Sequence, residues 1–335
     1  EGWASNTDLV PDASQITPPV DLSGTMGPEC SITVDLAAGF PLINLLSRYH
    51  DVVREKLTDT HYRVSFRGPV VADRDFVLEW QPEKGETVHA SLFSDQLDGE
   101  QYMLLMLMPP RTESIIRVPR EMVFVLDVSG SMAGQSILQA KAAIGLALDR
   151  LHGDDLFELI VFNQQATALF GHSVAATPEA IAAARAFLQR VKAEGGTEMV
   201  DSFKRALDGR HHHDRLRQVV FLTDGAVGNE AQLFELIHRR LGDSRLFPVG
   251  IGSAPNSYFM ARAARIGRGS FSYIGSASEV KEKMEKLFRR LESPVLTDLK
   301  LELGENRQGV EIYPDPLPDL YLGEPLVVAL KIGWQ

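Results

Sequence analysis

Two rhythms of apolar positions run through this chain, and the change between them falls near Arg120. Before it, apolar and polar residues alternate in short runs separated by turn residues, the pattern of antiparallel strands. His61–Phe66 alternates most clearly, with Tyr62, Val64 and Phe66 on one side and Arg63 and Ser65 on the other. Ser31–Leu36, Asp75–Trp80, Thr87–Phe93 and Gln101–Met108 read the same way, while Leu42–Tyr49 fits a short helix as well as a strand. Residues 1–30, rich in Pro, Asp, Ser and Thr, read as an extended leader.

After Arg120, continuous apolar runs alternate with helical spacing. Met122–Leu126 reads as a strand buried on both faces. Ile137, Ala140, Ile144, Leu148 and Leu151 then mark a helix over Gln135–Leu151. Leu156–Phe162 is a second buried strand, and Thr167–Phe170 is close enough to fold back as an edge strand. Thr177 followed by Pro178 is a helix start. Further helices fall at Met199–Leu207, Ala231–Leu241 and Tyr258–Ile266, and strands at Gln218–Leu222, Leu246–Ile251 and Phe271–Ile274. Ser276 and Glu279 have capping-box spacing before a last helix ending at Leu291. Such alternation predicts an α/β doubly wound, mostly parallel sheet. Leu296–Leu303, Val310–Tyr313 and Leu326–Ile332 return to the strand pattern. The predicted organisation is an α/β domain at 119–293, inserted into a discontinuous, all-β, sandwich-like domain made of 31–118 and 294–335.

The chemistry lies at strand ends. Asp127, Ser129 and Ser131 follow the first buried strand, Asp224 follows Gln218–Leu222, and Thr197 sits on a Gly-Gly-Thr loop that opens a helix. Ligands of open α/β sheets bind outside the carboxyl ends of the strands. Taken singly, each hydroxyl is a residue type that caps helices. Two carboxylates and three hydroxyls on three convergent loops point instead to a hard divalent cation, Mg²⁺ first, with Mn²⁺ or Ca²⁺ as alternatives. Neutral hydroxyls leave the ion a net positive charge and leave its shell incomplete, so an acidic group of a partner can complete it.

Bulk properties narrow the partners. The chain has 335 residues, 44% hydrophobic and 24% charged, with a formal net charge of −11. An acidic chain is a poor match for nucleic acid. Cys30 is the single cysteine, so neither an internal disulfide nor a cysteine zinc cluster can form. The longest apolar run, Tyr102–Met108, is too short to span a bilayer. The first residue is Glu1 with no leader pattern, as expected of a mature or excised form.

Asp-x-Ser-x-Ser after an apolar strand, a distant Gly-Gly-Thr, and Thr-Asp-Gly after another apolar strand closely resemble the von Willebrand factor type A domain. The resemblance covers residues 119–293. It implies that Asp127, Ser129, Ser131, Thr197 and Asp224 form a metal-ion-dependent adhesion site, some carboxylates reaching the ion through water. It also implies one antiparallel edge strand, in keeping with Thr167–Phe170. The flanks, Asp75-Phe-Val-Leu, Gln101-Tyr-Met-Leu-Leu-Met-Leu-Met-Pro-Pro, Pro119-Arg-Glu-Met-Val-Phe-Val-Leu-Asp and Leu317-Pro-Asp-Leu-Tyr-Leu-Gly-Glu-Pro-Leu-Val-Val, resemble the inter-alpha-trypsin inhibitor heavy chain family. The Ala-rich helices are closer to bacterial, sortase-target members, and that family's N-terminal VIT domain is not recognisable. The resemblance implies an extracellular or cell-surface module that binds a protein or matrix ligand presenting a carboxylate. Met132 and Glu198, next to ligands, are expected to line the ligand platform. A purely structural metal is one alternative. A Mg²⁺-dependent phosphoryl-transfer enzyme is another, disfavoured because no phosphate-binding Gly-x-x-x-x-Gly-Lys loop is present and no His or Lys adjoins the motif. The expectation is therefore not an enzyme. His211–His213 read as a solvated loop.

Overall fold

Residues 6–16, 28–111, 118–209, 214–225, 228–252, 255–303 and 309–333 are described by a computed structural model; His211–His213 lie outside them. The chain divides into Glu1–Glu83 and Lys84–Gln335. This boundary falls inside the β segment that alternation assigned to one domain, because alternation shows which face of a strand is buried but not which strand it pairs with.

In the first unit, Thr33–Ala37, His61–Phe66 and Val52–Lys56 form a three-stranded antiparallel sheet, and Leu42–Ser47 pairs with Leu78–Pro82. Tyr62, Val64 and Phe66 are buried as their alternation requires, and they pack with Leu45 and Val52. Leu42–Ser47 is thus a strand. Val52–Lys56 carried no apolar signal because only Val52 is buried.

The second unit begins with a hairpin, β1 (His89–Leu97) and β2 (Glu100–Met108). The α/β elements follow: β3 (Arg120–Asp127), α1 (Gln135–Asp149), β4 (Leu156–Phe162), β5 (Ala166–Ala168), β6 (Val174–Ala175), α2 (Pro178–Arg190), α3 (Met199–Ala206), β7 (Leu216–Thr223), α4 (Glu230–Arg240), β8 (Arg245–Ile251), α5 (Ser257–Ile266), β9 (Ser272–Ile274) and α6 (Val280–Leu291). The closing strands are β10 (Pro294–Leu296), β11 (Val310–Tyr313), β12 (Leu320–Tyr321) and β13 (Leu326–Ile332). The main sheet has the order β5-β4-β3-β7-β8-β9; β4, β3, β7, β8 and β9 are parallel, and β5 and β6 run antiparallel to β4. The sheet is mostly parallel with an antiparallel edge. β2 pairs with β13 in a four-stranded antiparallel sheet, β11-β13-β2-β1, so strands from both sides of the α/β elements share one sheet.

The continuous apolar runs are explained by burial on both faces. Met122, Phe124 and Leu126 of β3 pack beneath α1 and α6, while Val123 and Val125 face α3, α4 and α5. Each such side chain contributes about 1.5–3 kcal/mol by leaving water. Thr177 caps α2 by accepting the Ala180 N–H at 3.2 Å. The capping box at Ser276 does not form. A 3₁₀ turn, Ala277–Glu279, precedes α6, and Glu279 accepts the Gly275 N–H instead. Beyond Leu296 the strand pattern also fails, because Asp298 turns the chain at φ 55°. No helix among the described residues is long and apolar enough to cross a membrane.

Charges are concentrated at the amino ends of the central strands. Arg120 pairs with Asp155 at 2.7 Å, Arg217 with Glu121, and Arg245 with Asp319 at 2.7 Å, all buried. Glu158 is the polar residue inside the apolar run of β4, and burial pushes its carboxyl above the usual range against hydrogen bonds from the Phe170 and Leu159 N–H groups. Folding therefore favours its protonated form, so its contribution is greatest below the unfolded pKa and is lost as pH rises through the folded pKa. Glu158→Gln is expected to melt higher than the wild type at pH 7 and to converge with it near pH 4. Thermal melts across that range check this, and a wild type that gains on the variant as pH rises would contradict it.

Candidate metal centre

β3 and β7 lie side by side in the sheet, with Leu126 opposite Leu222. The chain leaves β3 for β4 on one side and reaches β7 on the other, so the loops after β3 and β7 flank the crevice at the point where strand order reverses. Asp127 is the last residue of β3 and is fully buried. Its Oδ1 accepts the Ser129 N–H at 2.9 Å, and its Oδ2 accepts the Thr223 hydroxyl at 2.6 Å. These bonds hold the carboxylate in place.

A 3₁₀ turn over Gly130–Met132 follows. It places the Ser131 Oγ 3.1 Å from the Ser129 Oγ. The same turn sends Met132 inward, where it is fully buried in the core against α1. Met132 therefore does not line a ligand platform; adjacency in sequence did not reveal the rotation of the turn.

Thr197 is exposed on the loop that reaches α3. This loop is laced to the first: the Gly130 N–H donates to Gly195 O at 2.9 Å, and the Glu194 N–H to Val128 O at 2.9 Å. Asn163, just beyond β4, ties the loop from below, donating through Nδ2 to Glu194 O and accepting the Glu198 N–H. Gly195 adopts φ +85°, a backbone conformation that side-chain-bearing residues rarely take, and this favours glycine at that position. Glu198 is exposed and caps α3, accepting the Val200 N–H at 3.2 Å.

Asp224 is half-buried just past β7. Gly225 bends the chain away at φ +79°, its backbone so close to Asn256 that a Cβ would lie 2.5 Å from that residue's N. Thr223 joins the two loops, since its hydroxyl accepts the Gly225 N–H at 3.1 Å and donates to Asp127. Sequence reasoning read Thr223 only as part of Thr-Asp-Gly and missed Asn163; the hydroxyl one residue before Asp224 was the available signal.

Burial pushes the Asp127 carboxyl above its usual range, and the negative charge of Asp224 adds to this, while hydrogen bonds from Ser129 and Thr223 oppose it. A buried carboxylate pushed up further by a second one marks a concentration of negative charge, which a divalent cation would neutralise. The donor set is carboxylate and hydroxyl oxygen; no group of three or more His, Cys, Asp or Glu gathers among the described residues. These residues fit a hard cation, with Asp127, Ser129, Ser131, Thr197 and Asp224 as the oxygens that would hold it. Thr223→Val is expected to weaken Mg²⁺ binding about 10–100-fold, the usual cost of losing a group that orients a ligand. Calorimetric titration measures this; unchanged affinity would show that Thr223 does not orient Asp127.

Residues 120–273 match the family profile of the von Willebrand factor type A domain. Among similar proteins, a von Willebrand factor A domain-containing protein of Dictyostelium discoideum is 25% identical across 82% of this chain and 34% of its own length. Inter-alpha-trypsin inhibitor heavy chain H3 of Rattus norvegicus is 29% identical across 64% of this chain and 26% of its own. The chain spans about a third or less of the curated relatives it matches. Among solved structures, the von Willebrand factor type A protein from Catenulispora acidiphila shares the fold, with a TM-score of 0.59 and 19% identity over 75% of this chain and 66% of that one.

Proposed function

We propose that the chain, whose residues 120–273 match the von Willebrand factor type A profile, is a metal-dependent protein-binding module of a cell-surface or secreted protein. Asp127, Ser129, Ser131, Thr197 and Asp224 hold a divalent cation, Mg²⁺ first, with Mn²⁺ or Ca²⁺ as alternatives. The cation supplies Lewis-acidic attraction for a carboxylate, and an acidic side chain of a partner protein or matrix component completes its shell. The observation that carries this is the composition of the site: one fully buried carboxylate, a second half-buried one, a buried hydroxyl on Ser129 and exposed hydroxyls on Ser131 and Thr197. Hydroxyls on the open side leave the ion electrophilic, where an all-aspartate site would be more nearly neutralised.

The residues have separable tasks. Asp127 anchors the site and is itself anchored by Thr223 and the Ser129 N–H. Ser129 and Ser131 present hydroxyls from one turn, and the bond from Gly130 to Gly195 fixes the Thr197 loop against that turn. Immobilised peptides carrying a single Glu, compared with the same peptides carrying Gln, test the proposal. The Glu series is expected to bind in Mg²⁺ and to be released by EDTA. Binding that persists in EDTA, or that ignores the change from Glu to Gln, would sink it.

A further inference from the structure

At the end of the sheet opposite Asp127, a cavity of about 430 Å³ opens between β3, β4 and α3. Two buried glutamates line it: Glu121 is 2% exposed and Glu158 4%. The register of β3 on β4 sets Glu121 beside Leu156 and Val123 beside Glu158, so both glutamates share one face. Each uses one oxygen. Glu121 Oε1 accepts the Ser173 hydroxyl at 2.5 Å and the Arg217 guanidinium. Glu158 Oε1 accepts the Leu159 and Phe170 N–H groups at 2.8 and 3.1 Å. Glu121 Oε2 and Glu158 Oε2 are buried without a hydrogen-bond partner among the described residues, although the Gly171 N–H also bears on the Glu158 carboxyl. Leaving a buried acceptor unmade costs about 1–3 kcal/mol, and more for a charged group.

The surroundings define what could satisfy these oxygens. Arg217 is divided between Glu121, Asp208 and the Ala206 carbonyl, so its charge is already engaged. Arg205, at the rim, pairs with Asp201. Glu158 makes no ion pair among the described residues, although His172 and Lys204 also line the cavity. Val123, Ile160 and Ala168 give it an apolar wall. A hard metal ion is a poor occupant, because it needs six or more oxygens and the space is far larger than an ion. Water would satisfy the acceptors but would not offset the burial that disfavours the ionised Glu158, which a cation would do.

We propose that this cavity binds a small organic cation bearing a primary ammonium or guanidinium group. Its N–H donors face Glu121 Oε2 and Glu158 Oε2, and its alkyl part lies on Val123, Ile160 and Ala168. The site is separate from the metal centre and does not depend on the function assigned there. The same chemistry is carried by a free alkylamine and by a lysine side chain. Calorimetric titrations of the Mg²⁺-saturated protein at constant ionic strength compare butylammonium, agmatine, capped lysine and tetramethylammonium, the last having the charge but no N–H. The first three are expected to bind saturably in the millimolar range or tighter, and tetramethylammonium at least tenfold more weakly. Tighter binding of capped lysine than of butylammonium assigns the source to a protein side chain, and the reverse to a free amine; both support the proposal. Glu158→Gln and Ala168→Leu, the second filling the cavity, should each cost tenfold or more while Mg²⁺ titrates as in the wild type. Equal binding of tetramethylammonium, unchanged affinity in both variants, or no saturable binding of any N–H cation overturns it, the first and last of these without relying on any variant.

Discussion

Asp127→Ala is expected to weaken Mg²⁺ binding by at least about 100-fold, ~2.7 kcal/mol, and to remove every cation-dependent contact with an acidic ligand. The effect is large because Asp127 both supplies a ligand oxygen and holds the site together. Its two oxygens receive the Ser129 N–H, from the loop after β3, and the hydroxyl of Thr223, the last residue of β7. Removing it leaves those donors without their acceptor, a cost of about 1–3 kcal/mol each if they stay dry. That loss is offset by removing a carboxylate whose ionised form is disfavoured by burial and by Asp224. The metal-free melting temperature should therefore change far less than the affinity. Asp127→Asn separates the two roles, since it keeps the shape and removes the charge; it should also lose Mg²⁺ binding. A Mg²⁺ affinity for Asp127→Ala within tenfold of the wild type would show that the cation, if held at all, is held elsewhere.

The second large effect concerns stability at the other end of the sheet. Arg245→Met should destabilise the protein by about 3–5 kcal/mol, the cost of breaking a buried ion pair from one side. Arg245 Nε and Nη2 reach the two oxygens of Asp319 at 2.7 and 2.9 Å, and Nη2 also reaches Asp298 at 2.9 Å. Both Arg245 and Asp319 have side chains only 1% exposed. Burial alone would favour a neutral guanidine, but Asp319 and Asp298 outweigh it and keep Arg245 charged. Deleting the guanidinium strands Asp319 as a buried charge, with only the Tyr321 hydroxyl at 3.4 Å and the Asp298 N–H at 3.2 Å to solvate it among the described residues. Because Asp319 lies in the segment after α6, the pair also ties the closing strands to β8. The double variant Arg245→Met with Asp319→Leu should recover most of the loss, since apolar groups of similar volume can replace a buried pair. Chemical denaturation measures both. A single variant that loses only a few tenths of a kcal/mol would mean that water reaches this pair.

The order of strands and helices after Arg120 was readable because a sheet covered on both faces demands unbroken apolar strands, and amphipathic helices must cover it. Asp127, Thr197 and Asp224 stood out as candidates because hard-metal chemistry restricts the residue types and the topology restricts where they can stand. Other features depended on information that periodicity does not carry. Which β segments pair is a long-range property, so the division at Glu83 and the pairing of β2 with β13 had no local signal. The burial of Met132 follows from one 3₁₀ turn after β3. Thr223 and Asn163 act through hydrogen bonds between segments distant in sequence. Glu158 stands inside an apolar run and Glu121 at the start of one, and neither the Arg217 partner of Glu121 nor the cavity that both line is legible from neighbouring residues.

The most direct measurement is a crystal structure of the α/β unit soaked with Mg²⁺ and a short peptide carrying one glutamate. The expected result is an ion in near-octahedral geometry, about 2.0–2.1 Å from its oxygen ligands. Ser129, Ser131 and Thr197 should lie in or beside its shell, Asp127 and Asp224 should ligate it directly or through water, and the glutamate should occupy the remaining position. No ion at saturating Mg²⁺, or an ion enclosed entirely by protein oxygens with the peptide bound elsewhere, would contradict a site built to capture an acidic partner.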